Sequence, residues 1–115
     1  MAEKDCVFCK IVAGELPSEI VYENDDILAF KDINPVAPIH ILLIPKKHIP
    51  TITDITEEDT TLMGKLLLAA GKVAEKLGIY ERGFRLVNNC REEGGQVIYH
   101  LHFHLLGGRK FGSVG

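Results

Sequence analysis

The segment His100-Leu101-His102-Phe103-His104-Leu105-Leu106 places a histidine at every second position, with apolar side chains between. Successive side chains of a β-strand point to opposite faces of the sheet, so this pattern predicts a strand with one core face and three imidazoles in a row on the other. Side chains on one face lie about 6.8 Å apart along a strand. Such a row can be an ordinary polar face. However, only histidine changes charge near neutral pH, binds metals and attacks phosphorus, so we interpret it as a functional site.

The surrounding sequence predicts an α+β fold with a five-stranded antiparallel sheet, one long helix and a short N-terminal helix. The long helix follows Thr56 as its N-cap and ends at Gly78, while Cys6 to Ala13 predicts the short helix. Gly64 and Gly71 share a face of the long helix, which favours close approach of another backbone, such as a dimer contact. The predicted strands are Ser18–Glu23, Ile27–Asp32, His40–Pro45, Gly83–Asn88 and Tyr99–Leu106.

Length and composition limit the classes of function. The 115 residues suit a single domain spanning 1–115, and the net charge of −3 disfavours binding to a nucleic acid polymer. The longest apolar run, Ile41 to Ile44, is too short to span a membrane, and the polar N-terminus has no signal-peptide core. With three cysteines, an odd number, disulfides are not expected and a cytoplasmic location is the default.

Two interpretations of the histidine row arise from its own chemistry. His-x-His on a strand can chelate a metal, or one imidazole can be a nucleophile whose neighbours act as acid, base or orienting group. Gly94 and Gly95 would let backbone N–H groups approach an anion, and Asp32 could accept hydrogen bonds from a ribose diol. These features favour a nucleoside phosphate over a bare metal.

The chain resembles the histidine triad (HIT) superfamily, and specifically its Hint branch of nucleotide-binding proteins. The segment from His100 to Leu106 matches the triad signature of that superfamily. The other matching segments are Phe8-Cys9-Lys10-Ile11, Ala29 to Pro35, Ala37-Pro38-Ile39-His40, Ile44 to His48, Gly94-Gly95-Gln96 and Leu106 to Arg109.

The resemblance implies a homodimer that hydrolyses purine nucleoside phosphoramidates to the nucleoside monophosphate and an amine. By motif position, His102 is the nucleophile and forms a nucleotidyl-histidine, His104 and the amides near Gly95 to Val97 hold the phosphate, and His40 assists. The full set of catalytic histidines is His40, His100, His102 and His104. The implied nucleotide-binding residues are Phe8, Leu16 and Phe30 for the base, Asp32 and Ile33 for the ribose, and Asn89, Gly95, Gln96, Val97, His102 and His104 for the phosphate side.

Val97 departs from the Hint pattern. Many Hint proteins carry a serine there that helps to protonate the leaving amine, and valine has no hydroxyl to donate. We therefore expect a weaker phosphoramidase activity than in a serine-bearing relative, or a shifted substrate preference.

Cys6-Val7-Phe8-Cys9 has the spacing of half a zinc site. The zinc-bearing members of the superfamily imply His48 and His100 as the other two ligands, in a closed site with a structural role. The alternative is that both cysteines are small, half-buried apolar residues and that His48 is a loop residue. Cys90 has no partner in this scheme.

Two rival functions remain at this point. The chain could be a nucleotide-binding or partner-binding module with vestigial catalysis, because Val97 lacks the hydroxyl of the usual serine. It could instead be a metal-handling protein that uses the histidine row itself.

Overall fold

The centre of the chain is a five-stranded antiparallel sheet with the strand order β1-β2-β3-β5-β4. The structure is a computed structural model and describes Glu3 and residues 5–114. The predicted α+β class is confirmed. The strands are β1 (Ile20–Glu23), β2 (Ile27–Lys31), β3 (Ile39–Pro45), β4 (Arg85–Val87) and β5 (Phe103–Gly107).

The long helix begins and ends where capping chemistry predicts. Thr56 caps a single 3₁₀ turn, Glu57–Asp59, and its N–H donates to Asp59 Oδ2 at 3.0 Å before the α-helix proper starts. Gly78 then follows the helix at φ +77°, a conformation that favours glycine. The helices are α1 (Val7–Val12), α2 (Thr60–Lys76) and the short α3 (Arg91–Gly94). Among the helices described, none combines the length and apolar character needed to cross a bilayer.

Both faces of the central strands are buried. α2 packs on one face, where Leu66 and Val73 join Ile41, Leu43 and Leu105 in the larger core cluster. The smaller cluster, on the side covered by α1, is formed by Phe8, Leu28, Phe30, Leu42 and Ile44. The apolar run in β3 is therefore continuous because this strand is covered on both sides.

The last predicted strand, Tyr99–Leu106, is wrong at its first half, because the ladder starts only at Phe103. β3 ends at Pro45, which has no N–H to donate, and its carbonyl oxygen instead lies 2.8 Å from His100 Nε2. The Leu101 N–H turns away to Ile49 O at 2.6 Å. The three histidines therefore do not share one regular strand, and His100 points into the interior with no exposed surface.

The face of α2 that carries Gly64 and Gly71 is open. A Cβ at either position would meet nothing within 4 Å in the part of the chain that is described, the helix's own backbone aside. Leu67 and Leu68 beside them are 56% and 69% exposed. Within Glu3 and residues 5–114, no backbone outside α2 itself approaches the two glycines, and the dimer contact stays a prediction.

Candidate active site

A cleft of about 410 Å³ opens beside the histidine segment. It lies where three parts of the chain meet. These are the loop after β2, the first residues of β3 and β5, and the loop after α3. His40 and His102 are each only 7% exposed at its wall. The lining residues are Phe8, Asp32, Asn34, Val36, His40, Leu42, Asn89, Gly95, Val97, Ile98, His102 and His104.

A second, more apolar cavity of about 260 Å³ shares a wall with the cleft. Phe8 and Phe30 lie edge to face in it, with ring centroids 5.5 Å apart, and Ile33 and Asp32 stand at its border. The predicted base-contacting residue Leu16 is not among its lining residues and is 38% exposed. A planar ring bound in this cavity would contact aromatic and aliphatic side chains. The Ser18 side chain adds a hydroxyl group to the lining.

The orientation of His102 is fixed by main-chain groups. Its Nδ1 lies 2.8 Å from the carbonyl oxygen of His100, which can only accept, so Nδ1 carries the proton. Nε2 is therefore left with a free lone pair in the neutral ring. The Asn88 amide donates to the carbonyl of His102 at 3.0 Å, and the edge-to-face contact with Phe8 has a centroid distance of 5.2 Å.

A chain of hydrogen bonds assigns the tautomers of His40 and His104. The Val36 N–H donates to His40 Nδ1 at 3.1 Å, so the proton of the neutral ring is on Nε2. That Nε2 lies 2.9 Å from His104 Nδ1 and 3.3 Å from Asp32 Oδ2. With Nδ1 accepting, neutral His104 carries its own proton on Nε2.

Burial keeps the rings of His40 and His104 uncharged. It lowers the pKa of His104 to about 4, helped by His102 and His40 and opposed by Asp32. Burial likewise lowers the pKa of His40, again against the attraction of Asp32. Both rings are therefore neutral at physiological pH and present N–H donors rather than full charges.

We expect the free energy of unfolding to fall as the pH drops from about 6.5 toward 4. His104 binds a proton at its ordinary pKa of 6.5 when unfolded but only near 4 when folded, so the unfolded chain holds more protons in this interval. The contribution is complete above 6.5 and lost by about 4. Denaturant titrations across the interval should give a steeper loss for wild type than for His104→Gln, by at most about 1.4 kcal/mol per pH unit. Parallel curves would contradict this assignment.

Cys6, Cys9, His48 and His100 form a compact group of potential metal ligands, with ligand atoms all within 4.8 Å of one another. Cys6 Sγ lies 3.3 Å and Cys9 Sγ 3.6 Å from His100 Nδ1. Cys9 Sγ lies 3.3 Å from His48 Nδ1, and the two Nδ1 atoms are 3.2 Å apart. A tetrahedral zinc with ordinary Zn–N and Zn–S bonds places its ligands roughly 3.3 to 3.8 Å apart. These separations fit such an ion.

The tautomer of His100 also fits a metal. Its Nε2 lies 2.8 Å from Pro45 O, which requires an Nε2–H and leaves the lone pair of Nδ1 directed at the sulfur atoms. Burial raises the pKa of the Cys6 thiol, a cost that a divalent cation offsets by favouring the thiolate. The structure thus places His100 with the cysteines rather than along the cleft, and its contribution to the cleft is its carbonyl oxygen.

Asp32, His40 and His104 are also close enough to suggest a metal site, but their hydrogen bonds argue otherwise. A metal at this place would need the lone pair of His40 Nε2. The Val36 N–H already occupies Nδ1, so Nε2 must carry the proton. The geometry disfavours the metal-handling interpretation of the histidine row.

The loop after α3 differs in detail from the prediction that its amides hold phosphate. The Gly95 N–H donates to Glu92 O and the Gln96 N–H to Arg91 O, both at 3.0 Å, so both are used within the turn. The Gln96 side chain is buried and donates to Pro50 O and Ile98 O, so it positions the loop. The Val97 N–H has no acceptor among the residues described and is the amide that stays available.

Several groups at the site escape sequence reasoning because they belong to the main chain or to unremarkable side chains. These are the Val36 N–H, the carbonyl oxygens of Pro45 and His100, and the Asn88 amide. Leu42 and Ile98 join both cavities and give no signal beyond their apolar character.

A model of the HIT domain family matches residues 13–111, which include the whole histidine segment. The chain belongs to the HIT domain family. Phe8 and both cysteines of the metal-ligand group lie before the matched range, so the match does not speak to them.

Relatives of this HIT protein cover nearly its full length. It is 49% identical to the purine nucleoside phosphoramidase of Escherichia coli strain K12 over 99% of this chain and 95% of that one. A histidine triad protein from Clostridium difficile superposes with a TM-score of 0.96 at 45% identity and covers all of both chains. A HIT family hydrolase from Legionella pneumophila Philadelphia 1 gives 0.90 at 52% identity, over 92% of this chain and 95% of that one. These relatives support a hydrolase.

Proposed function

We propose that this HIT protein hydrolyses purine nucleoside phosphoramidates, or related nucleoside phosphate conjugates, through a covalent nucleotidyl-histidine. The observation that carries the proposal is the orientation of His102, whose proton is held on Nδ1 by the His100 carbonyl at 2.8 Å. An imidazole nucleophile needs a fixed tautomer with one nitrogen free to attack, and a proton on His102 Nδ1 leaves Nε2 as that nitrogen in the neutral ring. The 49% identity to a purine nucleoside phosphoramidase supports the same activity and membership of the Hint branch.

The two joined cavities match the two ends of a nucleotide. The purine would lie against Phe8 and Phe30, next to Ile33, and the phosphate would lie in the cleft beside His102. Asp32 stands between the two ends. Its Oδ1 accepts from the Asn34 N–H at 2.7 Å, and its remaining lone pairs are available for the ribose hydroxyls.

The reaction would proceed in two displacements at phosphorus. His102 Nε2 attacks, the bond from phosphorus to the leaving group breaks, and the leaving group takes that electron pair and, if it is an amine, a proton from solvent. Water then attacks the same phosphorus, the bond to Nε2 breaks, and its electron pair returns to the ring while a proton passes to solvent. The products are the nucleoside monophosphate, the released group and the original enzyme.

Neutral donors would stabilise the charge that develops on the phosphoryl oxygens. The Nε2–H of His104, the Val97 N–H and the Asn89 side chain border the cleft where those oxygens would lie. Donors fixed before the reaction gain most in a site with little water, and His102 and His40 are only 7% exposed.

We also propose that Cys6, Cys9, His48 and His100 hold a structural zinc. When bound, a zinc with four protein ligands supplies a cross-link and no open coordination position for chemistry. The residues themselves do the positioning, because His100 offers its ring to the metal group and its carbonyl to His102.

Three further predictions complete the proposal. The HIT domain spans residues 1–115, the protein works as a homodimer, and it resides in the cytoplasm. The exposed face of α2 with Gly64, Leu67 and Leu68 supports a dimer contact, since neighbouring exposed apolar side chains on one helix favour a partner.

The proposal is tested by incubating the protein with adenosine and guanosine phosphoramidates and following amine release, while quenching in denaturant at alkaline pH, where a phosphorus–nitrogen bond to histidine survives, traps any nucleotidyl-protein for mass analysis. Amine release together with an adduct on His102 is expected. Binding of the nucleoside monophosphate without amine release would favour the binding module with vestigial catalysis, which the hydrocarbon side chain of Val97 would suit.

A further inference from the structure

We infer that Arg91 is a positioning residue for the phosphate end of the cleft, because it holds the turn that carries Asn89 and Val97. The inference rests on the proposed function, of which it uses only the placement of a phosphate in the cleft. Asn89 and Val97 belong to the described lining of the cleft and Arg91 does not. Arg91 therefore acts through its neighbours in the chain rather than on the ligand.

The main chain of Arg91 is in the left-handed region, with φ +59°. Among the residues that the structure describes, no other residue except glycine has a positive φ. In this region the Cβ atom comes too close to the following carbonyl oxygen, and arginine has no short polar side chain that would compensate. Such a conformation persists only where the surrounding structure fixes it. The contacts of Arg91 show what fixes it.

Gln96 holds the main chain of Arg91 by two hydrogen bonds. The Arg91 N–H donates to Gln96 Oε1 at 2.9 Å, and the Gln96 N–H donates to Arg91 O at 3.0 Å. The buried side chain of Gln96 in turn donates to Pro50 O at 2.9 Å. These bonds make the turn from 91 to 96 one unit, which Asn89 precedes and Val97 follows. The orientation of this unit therefore decides where both cleft residues lie.

The side chain of Arg91 attaches the same unit to a second 3₁₀ turn, Ile52–Asp54. Its Nε–H donates to Thr53 Oγ1 at 3.1 Å. Thr53 Oγ1 lies 2.9 Å from Thr51 Oγ1, and the Thr51 hydroxyl donates to Asp54 Oδ2 at 2.6 Å. Since Thr51 donates onward, the Thr53 hydroxyl donates to Thr51 and accepts from Arg91. Thr51 is only 2% exposed, so this chain of hydrogen bonds is anchored in the interior.

The ion pair between Arg91 and Asp54 contributes less than the hydrogen bond to Thr53. Arg91 Nη2 lies 3.8 Å from Asp54 Oδ1, and the two side chains are 59% and 39% exposed, so water screens their attraction. The hydrogen bond can be removed from either end. Arg91→Ala removes the donor, whereas Thr53→Val removes the acceptor, keeps the branched shape and leaves the charge of Arg91 in place. Thr53→Ser is the matched control, because it retains the hydroxyl.

The experiment measures the Kd of the full chain for adenosine 5′-monophosphate and for adenosine by titration calorimetry. The ratio of the two values isolates the contribution of the phosphate, which a general loss of stability would not change selectively. We expect Arg91→Ala and Thr53→Val each to weaken monophosphate binding roughly fivefold and adenosine binding less than about twofold. The double variant should lose no more than either single variant, because both remove the same hydrogen bond. Thr53→Ser should bind both ligands as wild type does.

Arg91→Gly separates the strain of the main chain from the attachment of the side chain. Glycine adopts a positive φ without strain, so Arg91→Gly should unfold at a temperature higher than Arg91→Ala by roughly 3 °C or more. It should nevertheless bind the monophosphate no better than Arg91→Ala, since both lack the bond to Thr53. A residue that only stabilises the fold would change Tm and monophosphate affinity together.

An unchanged preference for the monophosphate in Arg91→Ala and Thr53→Val would overturn the inference while leaving the proposed hydrolase in place. A loss in Arg91→Ala alone would also overturn it, because the charge of arginine would then be the cause. The same holds if Arg91→Gly unfolds at a lower temperature than Arg91→Ala. A wild-type protein that binds adenosine as tightly as the monophosphate would contradict both the inference and the proposed function.

Discussion

Replacing His102 by alanine is expected to lower the turnover of a nucleoside phosphoramidate by at least about a thousandfold. The substitution removes the attacking lone pair, and none of the other histidines can take over. The side chain of His100 is buried with the cysteines, and His40 Nδ1 receives the Val36 N–H. The Nδ1 of His104 faces His40, and its Nε2 carries a proton. Steady-state amine release and the loss of the trapped nucleotidyl-protein measure the effect.

The control for His102→Ala is to check that the variant keeps the fold and the rest of the site intact. The variant loses one main-chain hydrogen bond and the ring contacts with Phe8 and His104, but the ion pairs and core clusters do not involve it. It should therefore keep its zinc, its fold and an affinity for the nucleoside monophosphate similar to that of wild type. Turnover within about tenfold of wild type would show that another group is the nucleophile.

Cys9→Ser should release zinc and destabilise the protein. Cys9 is 4% exposed and contacts both His48 and His100, so its loss removes a ligand and leaves a buried hydroxyl among imidazoles. We expect one zinc per wild-type chain, less than about a tenth of that in the variant, and a Tm lower by roughly 10 °C or more. Metal analysis of the dialysed proteins and thermal unfolding measure the two effects.

Cys90→Ser is the matched control, since Cys90 is half-buried and lies outside the ligand group. It should retain both the zinc and the Tm of wild type. His102→Ala should also keep the metal, because His102 Nδ1 is bonded to a carbonyl. Zinc retained in Cys9→Ser, or lost from His102→Ala, would contradict the assignment of the metal to the cysteine group.

The sequence alone predicts those parts of the fold that local patterns determine. Capping at Thr56 and Gly78 places the ends of the long helix, and the apolar run of β3 predicts a buried strand. The end of a ladder is different, because it depends on the partner strand. Histidine and apolar residues alternate from His100 onward, yet β5 pairs with β3 only from Phe103. Pro45 on β3 offers no N–H, and its carbonyl oxygen is bound by the His100 side chain.

The candidate site follows the same division. The spacing of Cys6 and Cys9 indicates half a metal site, the resemblance to zinc-bearing relatives implies His48 and His100 as the other ligands, and the structure places all four in one group. Main-chain donors and acceptors carry no sequence signature, so the roles of the Val36 N–H and the His100 carbonyl appear only in three dimensions. The sequence also does not show that His100 is buried away from the cleft, because the same alternating pattern fits an exposed face and a covered face of a strand.

The most direct test of the central claim is a crystal structure with a bound purine nucleoside monophosphate. The claim is that the phosphorus lies in reach of the free lone pair of His102, with the base in the cavity lined by Phe8 and Phe30. We predict a distance of roughly 3 to 3.5 Å from phosphorus to Nε2, the near-attack range for a displacement. A nucleotide seated with its phosphorus beyond reach of Nε2, or a metal ion bound to that nitrogen, would contradict the account.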